Sequence, residues 1–205
     1  ADPQDRSGRD FTIGVYPMLT DETCWVLAAD FDKASWPDDT RAFLETCRHF
    51  NVPAVLERSR SGNGGHIWIF FSEPVPAARA RKVGAFLLTQ TMEQRPEIGL
   101  DSYDRFFPSQ DTMPTGGFGN LIALPLQKKL RAQGNSQFLD DNYSPYADQW
   151  AFLASVRRMS LAEIDELASE ADKHGELWGV RLPVTDEADD KPWTASPSRR
   201  RTCRS

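Results

Sequence analysis

Cysteine is scarce. Only Cys24, Cys47 and Cys203 occur in 205 residues, too few for a disulfide framework or a four-cysteine zinc site. No structural zinc is expected, and a reducing, cytoplasmic setting fits. Long apolar runs are missing too. No stretch reaches the roughly 18 residues that span a bilayer, and no basic segment leading into an apolar one opens the chain. Neither a membrane protein nor a secreted one is expected. Basic charge is in deficit: 24 Lys and Arg against 30 Asp and Glu leave a net −6. The deficit is uneven. Residues 139–190 carry 13 acids and 4 bases, whereas residues 41–82 hold seven bases against three acids. A basic groove on an acidic protein is therefore compatible with the composition, and the total charge neither requires nor excludes a nucleic-acid partner.

What is present is a globular pattern, with 40% hydrophobic and 26% charged residues. Residues 1–10 read as a disordered end, 11–184 as one folded domain, and 185–205 as an acidic and then Arg-rich linker. Strands are expected at Thr12–Tyr16, Cys24–Asp32, Val52–Glu57, His66–Phe71, Phe106–Gln110 and Asn120–Leu124. Helices are expected over 38–50, after Pro76, over 149–158 and over 161–173, where Ser160 and Glu163 match a capping box. Residues 127–150 show little regular pattern. The expected class is mixed α/β.

Three polar constellations interrupt this pattern. Asp30 and Asp32 end an apolar strand, and alternation puts both side chains on one face. Two close carboxylates repel unless a cation such as Mg²⁺ or Mn²⁺ lies between them; a solvated strand end is the simpler alternative. Ser61-Gly62-Asn63-Gly64-Gly65-His66 combines flexible backbone, a hydroxyl and an imidazole beside Arg58 and Arg60. Such a turn can cradle phosphate, or it can be an ordinary hairpin turn. A third acid would complete a two-metal site. Asp111, Asp104 and Asp101 are the candidates, each otherwise an ordinary loop aspartate, and composition does not choose among them.

In order and spacing, VLAADFD, SRSGNGGHIWIF and FFPSQD resemble the motifs of the archaeo-eukaryotic primase superfamily. IGVYPML at 13–19, LAADFDK at 27–33 and FPSQDTMPTGGFGNLIALPLQ at 107–127 look like the primase–polymerase domains of TOTE conflict systems and related CRISPR-associated enzymes. The resemblance covers about residues 11–150. It implies an N-terminal βαβ-like unit packed on an RRM-like sheet, with the active site in the cleft between them and helices toward the C-terminus. It implies Asp30, Asp32 and Asp111 as catalytic ligands of two divalent ions, Mg²⁺ or Mn²⁺. Ser61, Gly65, His66, Arg58, Asn120 and Lys128 would bind the NTP or dNTP, and Arg60, Lys129 and Arg131 would contact nucleic acid. The implied partners are single-stranded DNA template, primer and further domains of a larger defence or mobile-element protein, with no membrane. Two other classes share parts of the pattern: a DxD-dependent glycosyltransferase and a non-catalytic RRM-like binding module.

Overall fold

A computed structural model describes residues 12–175 and 177, apart from 98 and 114. The disordered ends expected at 1–10 and 185–205 lie outside the described residues. Within them the chain runs β1 (Gly14–Val15), β2 (Thr23–Phe31), α1 (Trp36–His49), β3 (Ala54–Arg58), β4 (Gly65–Pro76), α2 (Ala77–Gln94), β5 (Tyr103–Phe107), β6 (Ile122–Ala123), α3 (Lys128–Arg131), β7 (Gln137–Leu139), α4 (Gln149–Ser155) and α5 (Leu161–His174).

Five strands form one antiparallel sheet in the order β5-β2-β4-β3-β7. The succession β2-α1-β3-β4-α2-β5 within it is the split βαββαβ arrangement, so the expected RRM-like sheet is present, extended by β7. The βαβ-like unit, β2-α1-β3, lies within this sheet rather than packed on it, its two strands on either side of β4, and the cleft lies instead between the sheet and the segment that carries β6. A separate ribbon pairs β1 with β6.

Both faces of the sheet are covered, which explains the near-continuous apolar run Ile67–Phe71 in β4. On one face Leu27, Ala29, Phe31, Ile67 and Ile69 pack against Phe43 of α1, Val83 and Leu87 of α2 and Ile164 of α5. On the other, Ala28, Trp68 and Phe107 pack under Ile122 of the ribbon, with Phe152 and Leu153 of α4 at the margin.

Local chemistry sets the helix ends. Asp38 and Asp39 occupy the first turn of α1 and Arg48 and His49 the last, each sign matching the macrodipole. Asn51, at φ 56°, turns the chain out of that helix. The capping box of α5 is formed: Ser160 Oγ accepts from the Glu163 N–H, and Glu163 accepts from the Ser160 N–H at 2.8 Å. Two elements differ from expectation. β5 begins at Tyr103 rather than Phe106, because the charged Asp104-Arg105 pair hides three strand residues. Residues 127–150, read as patternless, contain α3, β7 and the start of α4.

Gly84 in α2 sits where a Cβ would lie 2.7 Å from the Phe106 ring and 2.9 Å from Leu27. Helix propensity would favour alanine there by about 1 kcal/mol, but overpacking costs about 1–3 kcal/mol. Gly84→Ala is therefore expected to destabilise the fold in urea unfolding. A rise in stability would show that α2 is free to move off the sheet.

Candidate active site

The site is one row of the sheet. Asp30 of β2 lies opposite His66 of β4 on one side and Arg105 of β5 on the other. His66 in turn lies opposite Glu57 of β3. Direct cross-strand neighbours have Cβ atoms about 5 Å apart, so pairing alone assembles carboxylate, imidazole and carboxylate. His66 Nδ1 is 3.0 Å from Glu57 Oε2, and its Nε2 is 3.4 Å from Asp30 Oδ1. Burial by itself would lower the His66 pKa. The carboxylates of Asp30 and Glu57 outweigh it and raise the value to about 10, which makes the ring a cation at neutral pH.

Carboxyl oxygens of Asp30, Asp32 and Asp104 all lie within 4.8 Å of one another. Burial, and then the neighbouring charges of Asp30 and Asp104, push the Asp32 pKa up. Oδ1 of Asp30 is buried and makes no hydrogen bond. Three hard oxygens in mutual repulsion, one of them buried and met only by His66 Nε2 at 3.4 Å, fit a divalent cation such as Mg²⁺ or Mn²⁺.

The acid that the structure brings to Asp30 and Asp32 is Asp104, not the Asp111 that the resemblance implied. Asp111 does not reach the cluster, and its carboxylate pairs with Arg81 of α2. The reason is topological. β5 runs antiparallel to β2, with Tyr103 against Phe31 and Phe107 against Ala28. Residues at the start of β5 therefore adjoin Asp30 and Asp32, whereas those after it run back toward the start of β2, where the Met113 N–H meets Glu22. Asp101 is also outside the cluster; its backbone carbonyl accepts from Lys33 Nζ at 2.8 Å. Asp104 is held in register from below. The buried carboxylate of Asp39 accepts from Ser102 N–H (3.0 Å) and Oγ (2.5 Å), and Asp32 N–H donates to Ser102 O at 2.6 Å.

The turn between β3 and β4 borders the same cleft, a hollow of about 280 Å³. Asp30, Asp32, Ser59, Arg60, Ser61 and His66 line one wall, and Ile122 and Ala123 of the ribbon, with Leu121 just before it, line the other. Ser61 is exposed at the rim; its hydroxyl lies 3.1 Å from that of Ser59 and accepts from the Asn63 N–H. Gly64 is forced: a Cβ would lie 2.6 Å from Phe31 O and 2.8 Å from Asp32 Oδ1. Gly65 lies against Trp36 and Leu56 in the core.

The remaining expected residues are spread around this wall. Arg58 turns away from the cleft, donating to the carbonyls of Gly134 and Tyr143. Lys128 and Lys129 are exposed on α3, and Arg131 is half-buried there. The loop after α3 meets the turn where Asn135 Nδ2 donates to Arg60 O at 3.2 Å. Asn120 is half-buried just before the ribbon strand β6. Sequence reasoning missed Glu57 and Ser59. Glu57 left one signal: like Asp30, it is an acid closing an apolar strand.

The family model for the archaeo-eukaryotic primase domain of TOTE conflict systems matches residues 6–167. Among solved structures, the chain is similar to the polymerase domain of Mycobacterium tuberculosis Ligase D in complex with DNA. Identity there is 18% and the TM-score 0.38, over 75% of this chain and 53% of that one. The chain therefore spans about half the length of that structure. No curated protein matches.

The two candidate third acids are separable by experiment. A cation at 100 times its Kd stabilises a folded protein by about 2.7 kcal/mol. Thermal unfolding with and without Mn²⁺ should show that increment lost in Asp104→Asn and kept in Asp111→Asn. The reverse pattern would return the role to Asp111. Asp32→Asn should raise the melting temperature of the metal-free protein, because it removes repulsion from Asp30 and Asp104, and should abolish the Mn²⁺ increment. A fall in the metal-free melting temperature would show that Asp32 is not strained by its neighbours.

Proposed function

The chain belongs to the archaeo-eukaryotic primase domain family of TOTE conflict systems, and from that membership we propose that it is a primase–polymerase, a nucleotidyltransferase that extends strands on a single-stranded DNA template. The observation that carries this reading is the cluster of Asp30, Asp32 and Asp104, the first two of which line one cleft with His66. Two divalent cations held by these three aspartates would activate the attacking 3′-hydroxyl and neutralise charge on the triphosphate of an NTP or dNTP.

The chain's own residues do the rest. His66 offers a charge-assisted hydrogen bond to a phosphate oxygen, a contribution of about 1–3 kcal/mol. Ser61 at the rim offers a neutral one, about 1 kcal/mol. Arg60 lines the same wall, and Lys128 and Lys129 lie on a helix whose following loop bonds to the Arg60 carbonyl. Their phosphate contacts would position template and primer without reading sequence. Ligands of this class extend past a hollow of this size, which suits a triphosphate entering from an open groove. Further domains of a longer protein would complete strand initiation.

A non-catalytic RRM-like module is disfavoured by the sheet itself. Its stacking aromatics would have to face solvent, yet Trp68 is 2% exposed and lies under the ribbon. A glycosyltransferase would use the Asp30–Asp32 pair but gives no role to His66 and Ser61.

The test is labelled-product synthesis on single-stranded DNA, with and without an annealed primer, using NTPs or dNTPs and Mn²⁺ or Mg²⁺. Asp30→Ala should abolish product, and Ser61→Ala should lower kcat/KM by about fivefold, as one neutral hydrogen bond implies. Product without primer identifies a primase, and product only with primer a polymerase. Absence of product under every condition, or full activity in Asp30→Ala, refutes the proposal.

A further inference from the structure

Glu57 is 1% exposed and lies on the opposite side of His66 from the three clustered aspartates. Its Oε2 accepts from Trp68 Nε1 at 2.9 Å and lies 3.0 Å from His66 Nδ1; its Oε1 accepts from Ser136 Oγ at 3.3 Å. Ser136 is itself buried and tied to β3 by its N–H, which donates to Arg58 O. A carboxylate surrounded by donors requires the nearest imidazole nitrogen to be a donor as well. Nδ1 therefore carries a proton and faces the interior, and Nε2 is the nitrogen turned toward Asp30 and the cleft. The ring has little freedom to flip, because Trp68 stands edge-on to it, with ring centroids 6.1 Å apart.

We propose that Glu57 is a positioning residue for His66, holding the ring so that Nε2 is presented to the triphosphate of the bound nucleotide. This rests on the nucleotidyl-transfer reading above. It assigns a function to a buried charge that would otherwise be costly to keep. It also explains why the β3–β4 hairpin register matters at the site: a one-residue slip would turn either Glu57 or His66 to the helical face.

Two measurements test it. In protein labelled with ¹⁵N-histidine, the His66 signals, assigned by their loss in His66→Ala, should show Nδ1 protonated in the wild type. An Nδ1 without a proton overturns the proposal whatever any variant does. The second is a cycle of Glu57→Ala, His66→Ala and the double variant, reading the Kd for dATP and, separately, for Mn²⁺ alone. Each single change is expected to raise the dATP Kd about tenfold, the range for removing an orienting partner. The double variant should be no worse than His66→Ala, and His66→Ala should not weaken Mn²⁺ binding, since it removes a cation beside Asp30. Glu57→Gln serves if the alanine variant fails to fold. Its carbonyl can accept from His66 and Trp68 and its amide can donate to Ser136, so it should keep the Nδ1–H signal and dATP affinity within about threefold. Losses that multiply in the double variant, or a Glu57→Gln that folds but binds as poorly as His66→Ala, overturn the positioning role alone. A wild type that binds Mn²⁺ but no dATP overturns the nucleotide reading and this role with it.

Discussion

The pairing of β2 between β4 and β5 is the constraint on which the rest of this molecule depends. It sets Asp30 opposite both His66 and Arg105 and leaves Leu27, Ala29 and Phe31 facing the helices. Because side chains alternate with a period of two, burial and chemistry are locked to the same register. The apolar face against α1, α2 and α5 therefore holds the polar row in place, although none of its residues is in that row. The site lies where this face ends, at the carboxyl end of β2, close to the turn that begins with Ser59.

Holding three carboxylates together opposes folding, and the neighbourhood shows how that cost is met. Asp39, buried on α1, clamps Ser102 and so fixes the start of β5 beside Asp32. Gly64 removes the Cβ that would push Asp32 away. His66 supplies a positive charge within reach of Asp30. Asp39 and His66 sit within a helix and a strand, and Asp32, Gly64 and Ser102 lie one residue outside strand ends, which suits a site that must hold anionic phosphate without rearranging. The ribbon of β1 and β6 closes the other wall and at the same time buries Trp68 and Ile122, so the cover of the core and the wall of the cleft are one element.

Family membership and local geometry answer different questions. The match over residues 6–167 gives the lineage, and a lineage of this kind carries an expected chemistry. Which side chains carry it in this chain follows from the positions of the strands, because function resides in a site and not in a fold. The contrast between Asp111 and Asp104 illustrates this. Both follow DxD in sequence, both flank the Phe106-Phe107-Pro108 stretch, and only one stands next to β2.

Much was legible from local signals. The apolar run from Cys24, the Asn-Gly turn before His66 and the Ser160–Glu163 box are properties of neighbouring residues, and each appears where the spacing places it. Asp30, Asp32 and His66 could be singled out because they end or open apolar strands. β7 could not, since three residues are too few for a period. Nor could the start of β5, because Asp104 and Arg105 break the apolar pattern while still pairing through their backbones. The amino-acid order by itself determined β2, β3 and β4, the α5 capping box and the two ends of the DxD-to-histidine pair, since these depend on side-chain period and backbone preference over a few residues. Only the tertiary structure places Asp104, and not Asp111, beside Asp30 and Asp32, and Glu57 behind His66. Those choices depend on strand direction and register between segments far apart in the chain, which no local pattern encodes.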